Sequence, residues 1–219
     1  MSKLRCRMAV SLDGYVAGPN QSAEHPLGEG GVRLHAWAFR TRTFRSMHGG
    51  ADGETGVDDD VLREAWVNVG STIMGRNMFG PTRGTWGPEP WRGWWGDNPP
   101  FHHPVFVLTH QARPPLVMAG GTSFHFVTDG ITSALAQARA AAGGRDVMLG
   151  GGAHTVRQFF AAGLLDEIDL HVVPFLLGRG ERLFDGLDPG LTRLELIRTL
   201  SGAGVSHLKF RVLPPDRAP

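Results

Sequence analysis

Three consecutive glycines, Gly150, Gly151 and Gly152, set the tightest limit on what this chain can fold into. They follow the short apolar run Val147, Met148, Leu149 and precede a segment in which Val156, Phe159 and Phe160 share one helical face. The stretch Asp146–Phe160 therefore predicts a strand, a glycine turn and a helix. Glycine enters the φ > 0 conformations of a tight turn, and its missing Cβ lets another molecule lie against bare backbone. The N–H groups of the first helical turn have no partner inside the helix, and with the macrodipole they favour an anion there. The stretch thus predicts a phosphate, and specifically a dinucleotide pyrophosphate, over Gly151, Gly152, Ala153 and His154. The competing reading is a close strand-helix packing turn without a ligand. No Lys-Ser/Thr follows the glycines, so this is not a Walker A loop, and the spacing is not that of the Rossmann fingerprint.

A chain of 219 residues that is 41% hydrophobic can bury a sizeable core within one domain, or at most two. Its net charge of +1 gives no reason to expect nucleic acid as a partner. A single cysteine, Cys6, excludes an intramolecular disulfide framework and permits a reducing compartment. The N-terminal MSKLRCRMAV lacks the apolar core of a signal peptide, and no apolar run approaches the ~20 residues of a membrane span. The expectation is a soluble cytoplasmic protein with no membrane partner.

Along the chain, Leu4–Leu12 predicts a first strand that ends in turn chemistry at Asp13-Gly14 and Gly18-Pro19-Asn20, with the short apolar segment Tyr15–Ala17 between. Residues 32–44 carry Leu34, Trp37, Ala38 and Phe44 at helical intervals. The acids Asp58, Asp59 and Asp60 read as the start of a further helix rather than as a metal site, because three adjacent side chains cannot converge on one ion. The strand Ser71–Met74 runs into Gly75-Arg76-Asn77, which repeats the strand-glycine-helix plan with an arginine suited to phosphate at the turn. The loop Pro81–Pro104 holds Trp86, Trp91, Trp94 and Trp95, which must cover a pocket, a second subunit or each other. Its His102-His103 pair has no ligand partners at metal spacing, so no metal is expected.

Val105–Leu108 is a near-continuous apolar strand of the kind buried on both faces in a parallel sheet, and it stops at Thr109-His110. A strand at Ser123–Thr128, a helix at Ile131–Ala142 and the organising passage follow. After Gly163, Asp166–Val173 alternates as a strand, and Leu194–Leu200 with Val205–Leu213 forms an antiparallel pair. The fold class is α/β, with a mixed, mainly parallel sheet flanked by helices and antiparallel C-terminal edge strands.

Four separated segments, MAVSLDGYVAGPN at 8–20, TIMGRNMF at 72–79, VFVLTH at 105–110 and the stretch 147–184, together resemble the dihydrofolate reductase-like superfamily. The resemblance is specifically to the branch similar to the C-terminal reductase domain of bacterial riboflavin-biosynthesis deaminase-reductases. It implies one reductase domain over 1–219, with 81–104 as a Trp-rich insertion, NADPH as cofactor and a homodimer. It further implies nicotinamide contacts at Ala9, Val10, Val16 and Ala17, and adenosine 2′-phosphate contacts at Gly75, Arg76, Asn77, Leu108, Thr109 and His110. The pyrophosphate then falls on Gly150, Gly151, Gly152, Ala153, His154 and Thr155. The first-helix carboxylate of dihydrofolate reductase has no counterpart in Gly31–Trp37, which argues against folate reduction.

The substrate end is therefore assigned to Asp13, Glu24, His35, Trp37 and Arg182, with Asp13 and His35 as candidates for handling the proton. The bland counterparts are a turn cap for Asp13, a core residue for Trp37 and a solvent-facing helical residue for His35. The functional expectation is NADPH-dependent hydride transfer to a small heterocyclic or ribosyl-like molecule. Its rivals are a stand-alone pyrimidine reductase of riboflavin synthesis and a non-catalytic NADPH- or flavin-binding protein.

Overall fold

The computed structural model describes residues 2–81, 84–87, 91–190 and 193–213; residues 82–83 and 88–90 of the Trp-rich loop lie outside this set. The chain runs through β1 (Leu4–Ser11), β2 (Tyr15–Ala17), α1 (Ala36–Phe39), α2 (Arg42–Met47), α3 (Val57–Ala65), β3 (Val69–Gly75) and α4 (Arg76–Phe79). It continues through β4 (Pro104–Leu108), β5 (Leu116–Val117), β6 (Ser123–Val127), α5 (Gly130–Ala142), β7 (Asp146–Gly151) and α6 (Ala153–Ala161). The last elements are β8 (Glu167–Val173), β9 (Glu181–Arg182), β10 (Arg193–Ser201) and β11 (Ser206–Leu213).

Among the described residues, nine strands form one sheet in the order β10-β11-β8-β1-β7-β3-β4-β6-β5. Pairing is parallel from β8 across to β6 and antiparallel at both margins, where β10 and β11 close one side and β5 the other. This is the expected α/β class with antiparallel C-terminal edge strands. β2 and β9 form a separate small ribbon that ties the first loop to the segment after β8. Among the described residues, no helix is long and apolar enough to cross a membrane.

The two faces of the sheet are built differently. Cys6 and Val10 of β1, Val147 and Leu149 of β7 and Ile168 and Leu170 of β8 turn toward α5 and α6, where Ala134, Ala138, Val156 and Phe159 complete the main core. Burying each large side chain there contributes roughly 1.5–3 kcal/mol. The opposite face carries an aromatic cluster at β3, β4 and β6, with Phe79, Phe101 and Phe124 at its centre, and a smaller apolar cluster of Trp37, Ala38, Leu62 and Val205 at α1 and α3.

That aromatic cluster accounts for the tryptophan loop. Trp91 donates to the carbonyl of Phe79, Trp86 donates to that of Gln111, and Trp95 packs edge-on against Phe101. These rings pack into a second core, and the loop also borders the cleft described below through Gly84 and through Trp86, which stacks on Arg76. Residues 32–44 also depart from the continuous helix their periodicity suggests. Gly31–His35 is a 3-10 turn, α1 is a single turn, and Thr41 restarts the chain by accepting from Phe44 N–H to cap α2.

The acids at 58–60 do more than cap. Gly56 is the N-cap of α3, while Asp59 accepts from Thr43 N–H at 2.6 Å and Asp60 pairs with Arg63. His103 accepts or donates at Thr72 Oγ1, 2.8 Å away, and so pins β3 to the start of β4. Burial, then Arg145 and His102, lower its pKa to about 4, so it is neutral at pH 7.

Candidate functional site

Because β3, β4, β6 and β7 run parallel, their C-terminal ends meet along one edge of the sheet, where open α/β sheets bind ligands. A cleft of about 440 Å³ opens there. Gly75, Arg76 and Asn77 line one wall, Leu108, Thr109 and His110 the floor, and Gly152, Ala153, His154 and Thr155 the opposite wall. The structure thus brings ten of the sequence-predicted cofactor residues into one cavity.

Two helix N-termini face this space. α6 begins at Ala153 after Gly152, and α5 begins at Gly130 after Asp129; neither N-cap makes a side-chain capping bond. Their first-turn N–H groups and dipoles make this edge attractive to anions. A Cβ built on Gly152 would meet nothing within 4 Å, so this residue presents bare backbone to open space. Arg76 lies with its guanidinium 3.6 Å from the ring centre of Trp86 and reaches Thr109 Oγ1 at 3.5 Å. Stacking of this kind holds the guanidinium plane in a fixed orientation.

The turn lies one residue later than the glycine run suggests. Gly150 and Gly151 belong to β7, and Gly152 makes the bend. Their Cβ positions face protein: Gly150 meets the Met78 thioether at 3.2–3.3 Å, and Gly151, at φ +122°, sits against Met8 and Met78. Neither lines the cleft. Their smallness serves strand packing, and of the three glycines only Gly152 faces the cleft.

Ala9, Val10, Val16 and Ala17 are buried and lie outside the cleft lining, with Val10 and Val16 in the main core. Asp13 does not have the environment of a proton donor. Its carboxylate accepts from Ser11 Oγ at 2.6 Å, Leu177 N–H at 3.0 Å and Gly178 N–H at 2.7 Å. Desolvation opposes ionisation, but these hydrogen bonds outweigh it and hold the pKa at about 2. An ionised carboxylate only accepts, so Asp13 fastens the loop after β1 to the segment 177–178.

His35 ends the 3-10 turn and stacks on Phe39. Burial and the Arg7 charge lower its pKa to about 4, leaving it a neutral imidazole near pH 7. Trp37 is buried and lies against the rings of His171 and His207. Glu24 is an exposed loop acid accepting from Ser22 Oγ, and Arg182 packs its guanidinium over Tyr15. None of Asp13, Glu24, His35, Trp37 and Arg182 lines the cleft.

Several lining residues escaped the sequence reading: Gly130 and Ile131 at the start of α5, Gln158 of α6 and Glu181 of β9. Asp129-Gly130, directly after the β6 strand, is a third strand-glycine-helix passage and was legible as such. Glu181 had no local signal, since only the β2–β9 pairing brings it to the cleft.

No curated protein matches the chain. Among solved structures, a protein from Shewanella sp. PV-4 described as a candidate for riboflavin biosynthesis superposes with a TM-score of 0.63 at 19% identity, covering 97% of this chain and 99% of that one. The diaminohydroxyphosphoribosylaminopyrimidine deaminase/5-amino-6-(5-phosphoribosylamino)uracil reductase of Thermotoga maritima gives 0.53 at 11% identity, over 96% of this chain and 56% of that one. Dihydrofolate reductase from Enterococcus faecalis, complexed with NADP(H) and RAB-propyl, gives a TM-score of 0.51 at 14% identity over 96% of each chain. At these identities the likeness concerns the fold, which is that of the dihydrofolate reductases and riboflavin reductase domains. The description that matches the sequence itself, over residues 2–205, is that of the RibD C-terminal domain, and the chain belongs to that family of reductases.

Proposed function

We propose that this chain is an NADPH-dependent reductase that delivers hydride to a C=N or C=O group of a small heterocyclic or ribosyl-bearing substrate, acting as one domain. The observation that carries this reading is the convergence of Arg76, two uncapped helix N-termini and the open backbone of Gly152 on one cleft. That set of cationic and N–H donors fits a dinucleotide phosphate chain. When bound, the nicotinamide supplies the hydride.

The chain's own residues bind and orient. Arg76 pairs with the 2′-phosphate that distinguishes NADPH from NADH, assisted by Asn77, Thr109 and His110. The N–H groups at Gly152–Thr155 take the pyrophosphate. The backbone at Ala9, Val10, Val16 and Ala17 receives the nicotinamide, and the Glu181 carboxylate accepts from a ribose hydroxyl. Gly150 and Gly151 serve by letting β7 approach Met78 and Met8. A second copy covers the β10 edge, where Leu194, Leu196 and Ile197 are exposed, giving a homodimer.

Titration of intrinsic fluorescence with NADPH and NADH tests the first step, and loss of nicotinamide absorbance with an acceptor panel tests the second. The panel includes 5-amino-6-(5-phosphoribosylamino)uracil and dihydrofolate. Tight NADPH binding with oxidation by an acceptor other than dihydrofolate is expected. Absence of NADPH binding at millimolar concentration would remove the reading, and a monomer mass in light scattering would remove the dimer.

A further inference from the structure

A long arginine side chain loses much rotamer freedom when it is held in one pose, and a guanidinium that swings freely meets a phosphate in its forked geometry only part of the time. The structure removes that freedom from Arg76 with parts taken from three segments of the chain.

Arg76 and Phe79 stand three residues apart on α4, on the same side of a single helical turn. Trp86 meets both. The Arg76 guanidinium carbon lies 3.6 Å from the centre of its ring, and the indole stands edge-on to Phe79 at 6.1 Å and to Phe126 at 5.3 Å. Phe79 is fully buried in the second core, so the indole rests on a fixed surface. The indole N–H donates to the Gln111 carbonyl at 2.9 Å, which holds the ring against turning.

The turn that anchors the indole also holds the guanidinium. Gln111 N–H donates to Thr109 Oγ1 at 3.1 Å, and Thr109 Oγ1 lies 3.5 Å from Arg76 Nη1. Arg76, Trp86, Gln111 and Thr109 therefore close a ring of contacts. The indole sets the plane of the guanidinium, and Thr109 sets its direction within that plane.

Arg113, two residues beyond Gln111, brings a second cation to the same indole. Its guanidinium carbon lies 4.7 Å from the centre of Trp86 and 4.7 Å from that of Phe126, and its Nη1 donates to the Trp91 carbonyl at 2.6 Å. Two like charges about one ring repel, and burial followed by the Arg76 charge lowers the pKa of Arg113. A dianion beside them offsets that repulsion. Among the described lining residues the acid is Glu181, which comes from β9, next to α6, and not from the Arg76 wall.

We propose that Trp86 is a positioning residue: it holds Arg76 in the orientation that pairs with a phosphate monoester on the ribose, and so sets the preference of the cleft for a 2′-phosphorylated dinucleotide. This deepens the reductase reading above and rests on it for the identity of the ligand. The tryptophans of the loop then divide. Trp91, bound to the Phe79 carbonyl, and Trp95, against Phe101, serve packing, whereas Trp86 reaches the cleft through Arg76.

Adenosine 2′,5′-bisphosphate and adenosine 5′-monophosphate differ only in the 2′-phosphate and carry no nicotinamide, so calorimetric titration with this pair reads the subsite without hydride transfer. Trp86→Leu should weaken the bisphosphate about tenfold and the monophosphate less than about twofold. Trp86→Phe keeps a flat face for the guanidinium and should recover most of that loss. In an Arg76→Ala background Trp86→Leu should cost nothing further, because the indole acts through the arginine. Tetrafluorotryptophan introduced at position 86 keeps the shape of the ring and weakens its negative face. It should lower bisphosphate affinity about threefold without changing the melting temperature, and it decides the matter where Trp86→Leu does not fold.

Equal losses for the two ligands, or a Trp86→Leu loss that persists in full without Arg76, make Trp86 a packing residue and overturn the inference. Unchanged discrimination in the fluorinated protein, or a wild type that binds the two ligands equally, overturns it as well. A wild type that binds neither NADPH nor the bisphosphate removes the reductase reading along with it. A wild type that binds both and prefers the 2′-phosphate leaves that reading standing whatever the Trp86 variants do.

Discussion

Two passages in this molecule follow the same plan and end differently. β3 runs through Gly75 into α4, and β7 runs through Gly152 into α6. At Gly75 an added Cβ would sit 2.3 Å from Thr155 Oγ1, a residue of α6 itself. At Gly152 it would meet nothing within 4 Å. The first glycine is small so that the second passage can pack against it, and the second is small toward the cleft. α4 is one turn long and contributes the Arg76 side chain, whereas α6 runs nine residues and contributes its N-terminus. A glycine at a strand end thus identifies a close approach, and only the direction of its missing Cβ tells whether the visitor is protein or ligand.

Gly152→Val breaks the comparison most sharply. The backbone at φ −71°, ψ −170° accepts a β-branched residue, so stability should stay within about 0.5 kcal/mol of wild type. NADPH affinity should fall roughly a hundredfold or more if the pyrophosphate lies where proposed, since the side chain would enter that space. Calorimetric melting and a binding titration on the same sample check both halves; unchanged affinity would make Gly152 a packing residue like Gly75. Gly151→Val is the poorer probe, because φ +122° strains any β-branched residue whether or not a ligand binds there.

Arg76→Ala addresses the side-chain contribution of the first passage. Loss of one charge-assisted contact of about 1.5–3 kcal/mol should reduce NADPH affinity about ten- to a hundredfold and leave NADH binding nearly unaffected. An equal loss for both dinucleotides in parallel titrations would detach Arg76 from the 2′-phosphate.

Gly75→Ala should act in the opposite sense to Gly152→Val. Thr155 must move, at a cost of about 1–3 kcal/mol in denaturant unfolding, and cofactor affinity should weaken only as far as α6 is displaced. A variant as stable as wild type would show that the two turns do not constrain each other.

The smallest effect concerns the anchor of the first passage. Removing the His103 contact to Thr72 by His103→Phe should cost about 1 kcal/mol at pH 7. The unfolded chain takes up a proton at His103 near pH 6.5, and the folded protein does not until about pH 4. Stability from this group is therefore complete above pH 6.5 and lost as the pH falls toward 4. The variant should show a shallower acid decline in a pH series of melts, and an identical slope would assign the decline to other groups.

Much of this protein was legible from residue order alone. Hydrophobic period and glycine punctuation are local properties, so the strands read at 105–108 and 123–128, the helix read at 131–142 with its glycine stop, and the antiparallel C-terminal pair form within a residue or two of where the sequence puts them. So does the ligand edge, because parallel strands followed by glycine turns leave their helix N-termini together. The break between α1 and α2 was not legible, since Thr41 overrides a periodic apolar pattern through one capping bond.

The polar contacts between distant elements were the least legible. Asp13 read as an acid in a turn, and its role depends on two backbone N–H groups more than 160 residues away. His171 and His207 carried no motif at all, and Asp58 read as one of three capping acids. Only strand register sets the two rings side by side, and only the bare backbone of Gly202 admits Asp58 to them. The sequence determined which elements form and at which sheet edge the glycine turns and helix N-termini gather, because those depend on neighbours in the chain. The tertiary structure decided which polar groups meet, because hydrogen bonds of 3 Å join residues whose separation in sequence carries no information about their meeting in space.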